Sequence, residues 1–244
     1  MDALPYDLIP PPTALGLVVL QSDESVEDDM RRLLPPEASL LVSRVPSGAE
    51  VTPETLAAME RHLSGAAALF PQGKRFAAMG YGCTSGAAQI GPARVADRLR
   101  AGADVTRVTD PVTALIAACA ALGVTRLGLV SPYLAEVSGR LRAVLGAQGI
   151  ATPVFASFDV PEESRVVRIS PHSLMGAAQD VARRAPVQAL FLSCTNLRTL
   201  EVIDPLEAAL GIPVLSSNLV LGWHMAQLAG VAARGPGRLF RPAR

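Results

Sequence analysis

The chain has 244 residues, half of them hydrophobic, enough for one large α/β unit or two small domains of roughly 100–120 residues each. Acidic and basic residues balance at 22 each, which leaves no broad basic field to hold a phosphate backbone, so nucleic acid is not an expected partner. The longest apolar run, 112–124, is 13 residues and contains Thr113, shorter than the roughly 20 residues a membrane span needs. No membrane partner is expected either. Asp2 and Asp7 with no Lys or Arg before Gln21 is the wrong charge pattern for a secretory signal, and a cytoplasmic setting is expected. Three widely spaced cysteines make neither a disulfide framework nor a zinc site, which leaves free thiols in a reducing compartment and no metal.

Residues 1–13 hold four prolines and little periodicity and read as an extended arm. The apolar run 15–20 reads as a first buried strand, followed by Gln21-Ser22-Asp23-Glu24-Ser25 and an amphipathic helix over 26–34, with Ser22 or Asp23 as a natural N-cap. Pro35-Pro36 ends that helix. A second strand at 40–45 and a helix over 52–70, opened by Thr52-Pro53-Glu54, come next. A buried strand at 76–80 then runs into Gly80-Tyr81-Gly82-Cys83-Thr84-Ser85-Gly86, with a helical stretch to about Leu99.

From Asp110 the same grammar starts again. An alanine-rich helix over 111–122 leads to a strand at 126–130, a helix over 132–148 with Pro132 in its first turn, and a strand at 153–158. After the acidic loop Pro161-Glu162-Glu163 come a helix at 171–184, a strand at 188–193, Ser193-Cys194-Thr195-Asn196, and a helix over 196–210. A last strand at 213–216 enters a helix over 218–229 and a Gly/Pro/Arg-rich tail. Strands separated by helices imply parallel sheets built from right-handed βαβ units. The expected fold is α/β, with two parallel-sheet domains whose element order repeats. Residues 14–110 plus 217–244 form the first domain, with the final helix crossing back to it, and residues 111–216 form the second.

Two strand ends in one chain each offer Cys-Thr. In open α/β sheets ligands bind beyond the carboxyl ends of the strands, so Cys83 and Cys194 are placed to flank one small molecule. A thiol near a helix start feels the helix dipole, which is expected to lower its pKa. Thr84, Ser85, Thr195 and Asn196, with backbone N–H groups of the helix starts, supply donors for a carboxylate or an oxyanion. Two thiols on opposite faces of a carbon permit proton removal on one side and delivery on the other; alternatively one thiolate adds to a double bond, the single bond rotates, and elimination gives the other isomer. Neither route needs a cofactor. Tyr133, in Val130-Ser131-Pro132-Tyr133, lies at another strand end and offers a hydroxyl or a half-buried ring. Ser216-Ser217-Asn218 is a capped helix start or a carboxylate contact. Cys119, mid-helix, reads as a small hydrophobe, and His62, His172 and His224 read as structural. Asp23 and Glu24 are most simply a cap and an acid matched to a helix dipole.

The ordered set Gly82-Cys83-Thr84-Ser85, Val130-Ser131-Pro132-Tyr133, Ser193-Cys194-Thr195-Asn196 and Ser216-Ser217-Asn218 resembles the aspartate/glutamate racemase superfamily. Within it the pattern is closest to the maleate cis-trans isomerase and arylmalonate decarboxylase branch, over Leu15 to Phe240. The resemblance implies two pseudo-symmetric domains and a cleft site. It implies that Cys83 is the attacking or acid/base thiol, Cys194 the proton donor or acceptor, and Tyr133, Thr84, Ser85 and the Thr195 region the carboxylate-binding groups. Arylmalonate decarboxylases carry glycine at the first cysteine position, so Cys83 argues against decarboxylation. Two family asparagines are replaced by acids, one by Asp23 and the other, at the nearest counterpart, by Glu163. A carboxylate there repels a dicarboxylate substrate unless it is turned away or protonated. A substrate with a positive group beside its carboxylate fits better, and the loop Leu20-Gln21-Ser22-Asp23 also looks like ectoine-utilisation relatives, whose compounds are zwitterionic amidine carboxylates. The expected activity is a cofactor-independent isomerase or racemase of a small carboxylate, with substrate-binding residues Ser22, Asp23, Thr84, Ser85, Tyr133, Thr195, Asn196, Ser217 and Asn218. A decarboxylase of the same fold and a non-catalytic ligand-binding protein are the alternatives. A homodimer or higher homo-oligomer is compatible with the apolar composition and the proline-rich arm.

Overall fold

A computed structural model describes residues 4–241; residues 1–3 of the arm and 242–244 of the tail lie outside the described residues. The first half runs β1 (Ala14–Leu20), α1 (Val26–Leu33), β2 (Ser39–Val45), α2 (Pro53–Ala58), α3 (Glu60–Ala68), β3 (Arg75–Phe76), β4 (Ala78–Gly82), α4 (Thr84–Ile90), α5 (Pro92–Gly102), β5 (Asp104–Val105) and β6 (Val108–Thr109). The second half runs α6 (Pro111–Leu122), β7 (Arg126–Ser131), α7 (Ala135–Ala147), β8 (Ala151–Ser157), α8 (Glu163–Val166), α9 (Pro171–Arg184), β9 (Ala189–Leu192), α10 (Leu200–Leu210), β10 (Val214–Ser216) and α11 (Ser217–Ala229), with a short 3₁₀ turn at Arg238–Phe240.

Two parallel four-stranded sheets result, ordered β2-β1-β4-β6 and β8-β7-β9-β10, with β3 and β5 forming a separate small pair. Counting strands within each four-stranded sheet, both have the order second, first, third, fourth. The point where the order reverses lies between β1 and β4 in one sheet and between β7 and β9 in the other, and that is where a crevice opens at the carboxyl ends. Every residue of β1, β4 and β9 is buried. This is why these strands read as continuous apolar runs rather than as alternating ones.

Several boundaries differ from the sequence expectation. The strand ending in the first cysteine loop continues through Gly82, because Val19 of β1 stays in register with it. Gly80 is needed there: a Cβ would lie 2.6 Å from Met225 Sδ, so the missing side chain is what lets α11 pack on β4. The expected helix over 52–70 is two helices, tightened at Met59, whose carbonyl accepts from His62 N–H three residues on. The stretch after Cys83 breaks at Gly91, with φ 99° before Pro92, a residue that disfavours helix in its predecessor. Pro132 lies outside α7: Ser131 Oγ accepts the Tyr133 N–H, and the Pro132 carbonyl accepts the Val160 N–H, so 132–134 is held in a turn. The helix expected from 196 starts at Leu200. The short β5 and β6 and α8 were not expected.

Four large side chains of the arm, Leu4, Tyr6, Leu8 and Ile9, are more than 80% exposed. Among the described residues no helix is long and apolar enough to cross a membrane.

α11 also packs against α1, and there Asn218 Nδ2 donates to Asp29 Oδ2 at 2.8 Å. Burial pushes Asp29 up to about 6, against the opposing effect of the Asn218 amide. A carboxyl with a higher pKa folded than unfolded binds its proton more tightly in the folded state, so stability falls as pH rises from about 4 to 6 and stays lower above. Asp29→Asn keeps an oxygen for the Asn218 amide and has no charge to bury. Urea unfolding of Asp29→Asn is expected to show a gain of up to about 3 kcal/mol above pH 6 and no gain at pH 4.

Candidate active site

The four loops that follow β1, β4, β7 and β9 meet in one narrow cavity. Its walls are Asp23, Cys83, Thr84, Ser85, Tyr133, Glu163, Cys194 and Thr195, with Leu20, Val51 and Leu56 as the apolar side. Each sheet contributes its third strand's cysteine and a polar group after its first strand, Asp23 or Tyr133. The matching strand order of the two halves therefore brings the two thiols to one place. Above them the two halves are joined by an antiparallel bridge between Glu50 and Glu162, in which Val51 N–H donates to Pro161 O and Glu163 N–H to Ala49 O.

Cys83 is the N-cap of α4, and its sulfur accepts the Gly86 N–H at 3.2 Å. A Cβ on Gly86 would come within 2.6 Å of the Tyr81 hydroxyl and 2.9 Å of Cys83 Sγ, so glycine there leaves room for both. Cys194 is held differently. Five residues, 195–199, separate it from α10. Its backbone has φ 150°, a region that side-chain-bearing residues rarely adopt and that costs on the order of 1–3 kcal/mol. Its N–H donates to Ser217 Oγ at 3.0 Å, its sulfur accepts the Asn196 N–H at 3.2 Å, and the sulfur lies 2.9 Å from the Tyr133 hydroxyl.

The expectation that a helix dipole lowers both thiol pKa values is overturned. Burial pushes Cys83 up to about 12, opposed by the Gly86 N–H and reinforced by the Glu163 carboxylate. Burial, then the Glu163 charge, pushes Cys194 well above the ordinary thiol range, opposed by Tyr133 and Asn196. α4 is only seven residues long and Cys194 caps no helix, so desolvation outweighs the dipole. Asp23 and Glu163 are raised as well, both first by burial.

Of the residues expected to bind substrate, Asp23, Thr84, Ser85, Tyr133 and Thr195 line the cavity. Asp23 is also the expected cap, for Oδ1 accepts the N–H groups of Ser25 and Val26, each at 2.9 Å. The other four do not line it. Ser22 Oγ pairs with Ser47 Oγ at 3.1 Å and ties down the loop after β2. Asn196 spends its amide on Glu163 Oε2 and its carbonyl on the Glu24 N–H, at 2.8 and 2.9 Å. Ser217 Oγ accepts from the Thr84 hydroxyl at 2.7 Å as well as from Cys194 N–H. Asn218 donates to the Thr195 carbonyl as well as to Asp29. In this structure these four hold the lining residues and loops in place.

Two features around the thiols went unassigned. Tyr81 reads in sequence as one more buried strand residue, yet its hydroxyl lies beside Cys83 and opposes the sulfur's raised pKa. The apolar wall of Val51 and Leu56 was equally silent. Its only signal was the Thr52/Thr55 capping box that fixes the start of α2. Cys119 is buried in α6 as expected, and His224 Nδ1 pairs with Thr109 Oγ1 at 2.8 Å in a structural contact. Among the described residues no group of His, Cys, Asp and Glu is clustered to hold a metal ion.

Residues 93–240 match the family model described as arylmalonate decarboxylase. The chain belongs to the arylmalonate decarboxylase family. It is 30% identical to the maleate isomerase of Nocardia farcinica, with 93% of this chain and 95% of that protein covered. It is 32% identical to the arylmalonate decarboxylase of Bordetella bronchiseptica over a shorter stretch, 54% of this chain and 57% of that protein. Among solved structures, the maleate isomerase Iso of Pseudomonas putida superposes with a TM-score of 0.85 at 25% identity, covering 93% of this chain and 98% of that one. A serine-for-cysteine variant of the Nocardia farcinica maleate cis-trans isomerase, carrying a covalently bound succinylcysteine intermediate, superposes with a TM-score of 0.80 at 28% identity, covering 93% and 98%. These family structures share the α/β architecture with parallel sheets described above.

Ser217 supports both halves of the site. Replacing it by alanine removes the acceptor for a buried N–H at a strained residue, a loss of about 1–3 kcal/mol. Ser217→Ala is therefore expected to lower denaturant stability by that amount and to lower turnover by about tenfold or more, because Cys194 loses its position. Unchanged turnover with lowered stability would mean that Ser217 does not position the thiol.

Proposed function

We propose that the protein is an isomerase that acts on a small carboxylate with Cys83 and Cys194 as its reacting groups and no cofactor. The observation that carries this reading is the convergence of both thiols on one buried cavity whose walls also present Thr84, Ser85, Thr195 and Tyr133. For a cis alkene, the Cys83 thiolate forms a C–S bond and the carbon next to the carboxylate takes the proton of Cys194. The new single bond rotates, Cys194 takes a proton back, and the C–S bond breaks to leave the trans alkene. For a carbon acid, one thiolate removes the proton and the other thiol returns one on the opposite face. The Ser85 hydroxyl in the cavity wall supplies a donor for the carboxylate where negative charge develops in either case.

The acids at Asp23 and Glu163 refine the substrate class. Both reach into the cavity, and burial disfavours their charge there, so a substrate carrying a cationic or amidinium group would offset that cost by pairing with them. This supports a zwitterionic carboxylate of the ectoine type over a simple dicarboxylate. The apolar wall of Leu20, Val51 and Leu56 favours a second reading, an arylmalonate-type decarboxylase whose one essential thiol is Cys194.

Proton NMR in deuterium oxide with maleate, aspartate, glutamate, an arylmalonate, ectoine and hydroxyectoine tests these readings together. The isomerase reading expects deuterium beside a carboxylate or cis-to-trans conversion for at least one compound. It also expects Cys83→Ser and Cys194→Ser each to slow the reaction by at least about a hundredfold. Carbon dioxide release that survives Cys83→Gly would replace it with the decarboxylase. Binding with no chemical change in any compound would contradict both and leave a ligand-binding protein.

A further inference from the structure

The Tyr133 hydroxyl stands between two groups that each need its single hydrogen. It lies 2.7 Å from Glu163 Oε1 and 2.9 Å from Cys194 Sγ. Glu163 is fixed in this position from the other side, since its Oε2 accepts from Asn196 Nδ2 at 2.8 Å and its carbonyl accepts from the same amide at 3.2 Å. Asn196 is in turn 1% exposed, and Glu163 3%. The Asn196 N–H reaches the thiol sulfur, so the residue that orients Glu163 also touches Cys194.

A phenol has one hydrogen to donate. If Glu163 is a carboxylate, Tyr133 donates to it, and the remaining hydrogen bond to Cys194 forms only if the thiol keeps its proton and donates to the phenol oxygen. If Cys194 is a thiolate, Tyr133 must turn its hydrogen to sulfur, and Glu163 must then carry a proton and donate it to the phenol. Two anions on one phenol would leave one of them buried beside a lone pair. The interconversion is balanced: the thiol proton passes to the phenol oxygen, the phenol hydrogen passes to Glu163 Oε1, and the cluster keeps a single negative charge.

We propose that Glu163 is a positioning residue which, through the Tyr133 hydrogen, holds Cys194 as the protonated thiol, so that Cys194 is the acid of the pair. Cys83 has no such lock: its sulfur receives the Gly86 N–H, and a carboxylate is not hydrogen-bonded to the tyrosine beside it. The proposal rests on the two-thiol reading above and explains which thiol gives the proton first. The groups facing Glu163 are Asp23 from the loop after β1, Cys83 after β4, Tyr133 after β7, and Cys194 and Asn196 after β9. Glu50 stands across the bridge from Glu162, which pairs instead with Arg165. Nearby charge is thus acidic, which disfavours a second anion in the cluster beside Glu163.

Glu163→Gln tests the lock, because a glutamine donates its amide to the phenol oxygen, accepts from Asn196 through its carbonyl, and frees the Tyr133 hydrogen for sulfur. With only three cysteines, ¹³Cβ-cysteine labelling gives three resonances, assignable by single serine replacements, whose shifts report thiol against thiolate directly. In the unaltered protein the Cys194 signal is expected to stay at the thiol position through the pH range in which the fold survives. In Glu163→Gln it is expected to titrate at least about one pH unit lower, a tenfold or greater rise in thiolate at a given pH. In Tyr133→Phe, adding Glu163→Gln is expected to move the signal much less. A Cys194 titration in Glu163→Gln that superimposes on the unaltered protein overturns the proposal. So does an equal displacement with and without Tyr133, which would reduce Glu163 to a distant charge. The titration needs no substrate, so it can fail while Cys83 and Cys194 both remain essential for turnover, and it can succeed where no substrate is turned over.

Discussion

Desolvation is the constraint around which the site is built. Burying a thiol disfavours its anion, and both cysteines here sit almost fully out of water. The cleft answers with fixed donors rather than with solvent. Gly86 N–H serves Cys83, Asn196 N–H serves Cys194, and the Ser85 hydroxyl remains near the space where a carboxylate would lie. Donors that are already oriented cost no reorganisation when charge appears during reaction. The raised thiol pKa values are then not a sign of inert cysteines. On the proposed two-thiol reading, they are the resting condition of groups whose anions are needed only once a substrate has replaced the remaining solvent and brought charge of its own.

The fold supplies this arrangement by using the same strand order twice. In each sheet the strand order reverses between the first and third strands, and the loops leaving those strands carry Asp23 and Cys83 on one side, Tyr133 and Cys194 on the other. The halves are locked together by polar contacts that cross the cleft. Thr195 Oγ1 donates to the Gly82 carbonyl, Ser25 Oγ donates to the Thr195 carbonyl, and Thr84 donates to Ser217. Each of these residues is buried, and each hydrogen bond satisfies a group that would otherwise penalise closure of the cleft. Cys194's unusual φ is maintained by the same web, because its N–H is directed at Ser217 and its sulfur at Tyr133.

How much of this was legible depended on whether the signal was local. Apolar runs that end in Cys-Thr announce buried strands meeting a polar loop, so Cys83 and Cys194 could be paired before any coordinates. Gly91-Pro92 carried a break that the helical pattern around it concealed. The roles of Asn196, Ser217 and Asn218 were not legible, because a buried amide or hydroxyl beside a cysteine looks the same whether it faces a ligand or the opposite half of the chain. Their partners lie in distant segments: Glu24 and Glu163 for Asn196, Thr84 for Ser217, Asp29 for Asn218. The thiol pKa direction failed for the same reason. A helix start is visible in sequence, whereas the depth of burial that overrides it is produced by the whole fold. Glu163 was visible only as an acid in the place of an expected amide, and its importance comes from the tyrosine it meets.

The central claim is that Cys83 and Cys194 have different jobs in one cavity, with Cys83 forming the bond to carbon and Cys194 managing the proton. Intact-protein mass spectrometry of Cys194→Ser incubated with a substrate identified by turnover, followed by peptide mapping, addresses that division directly. The account predicts an adduct equal in mass to one substrate molecule, located on Cys83, and none in Cys83→Ser. An adduct on Cys194 in Cys83→Ser, with Cys83 left unmodified in Cys194→Ser, would contradict it.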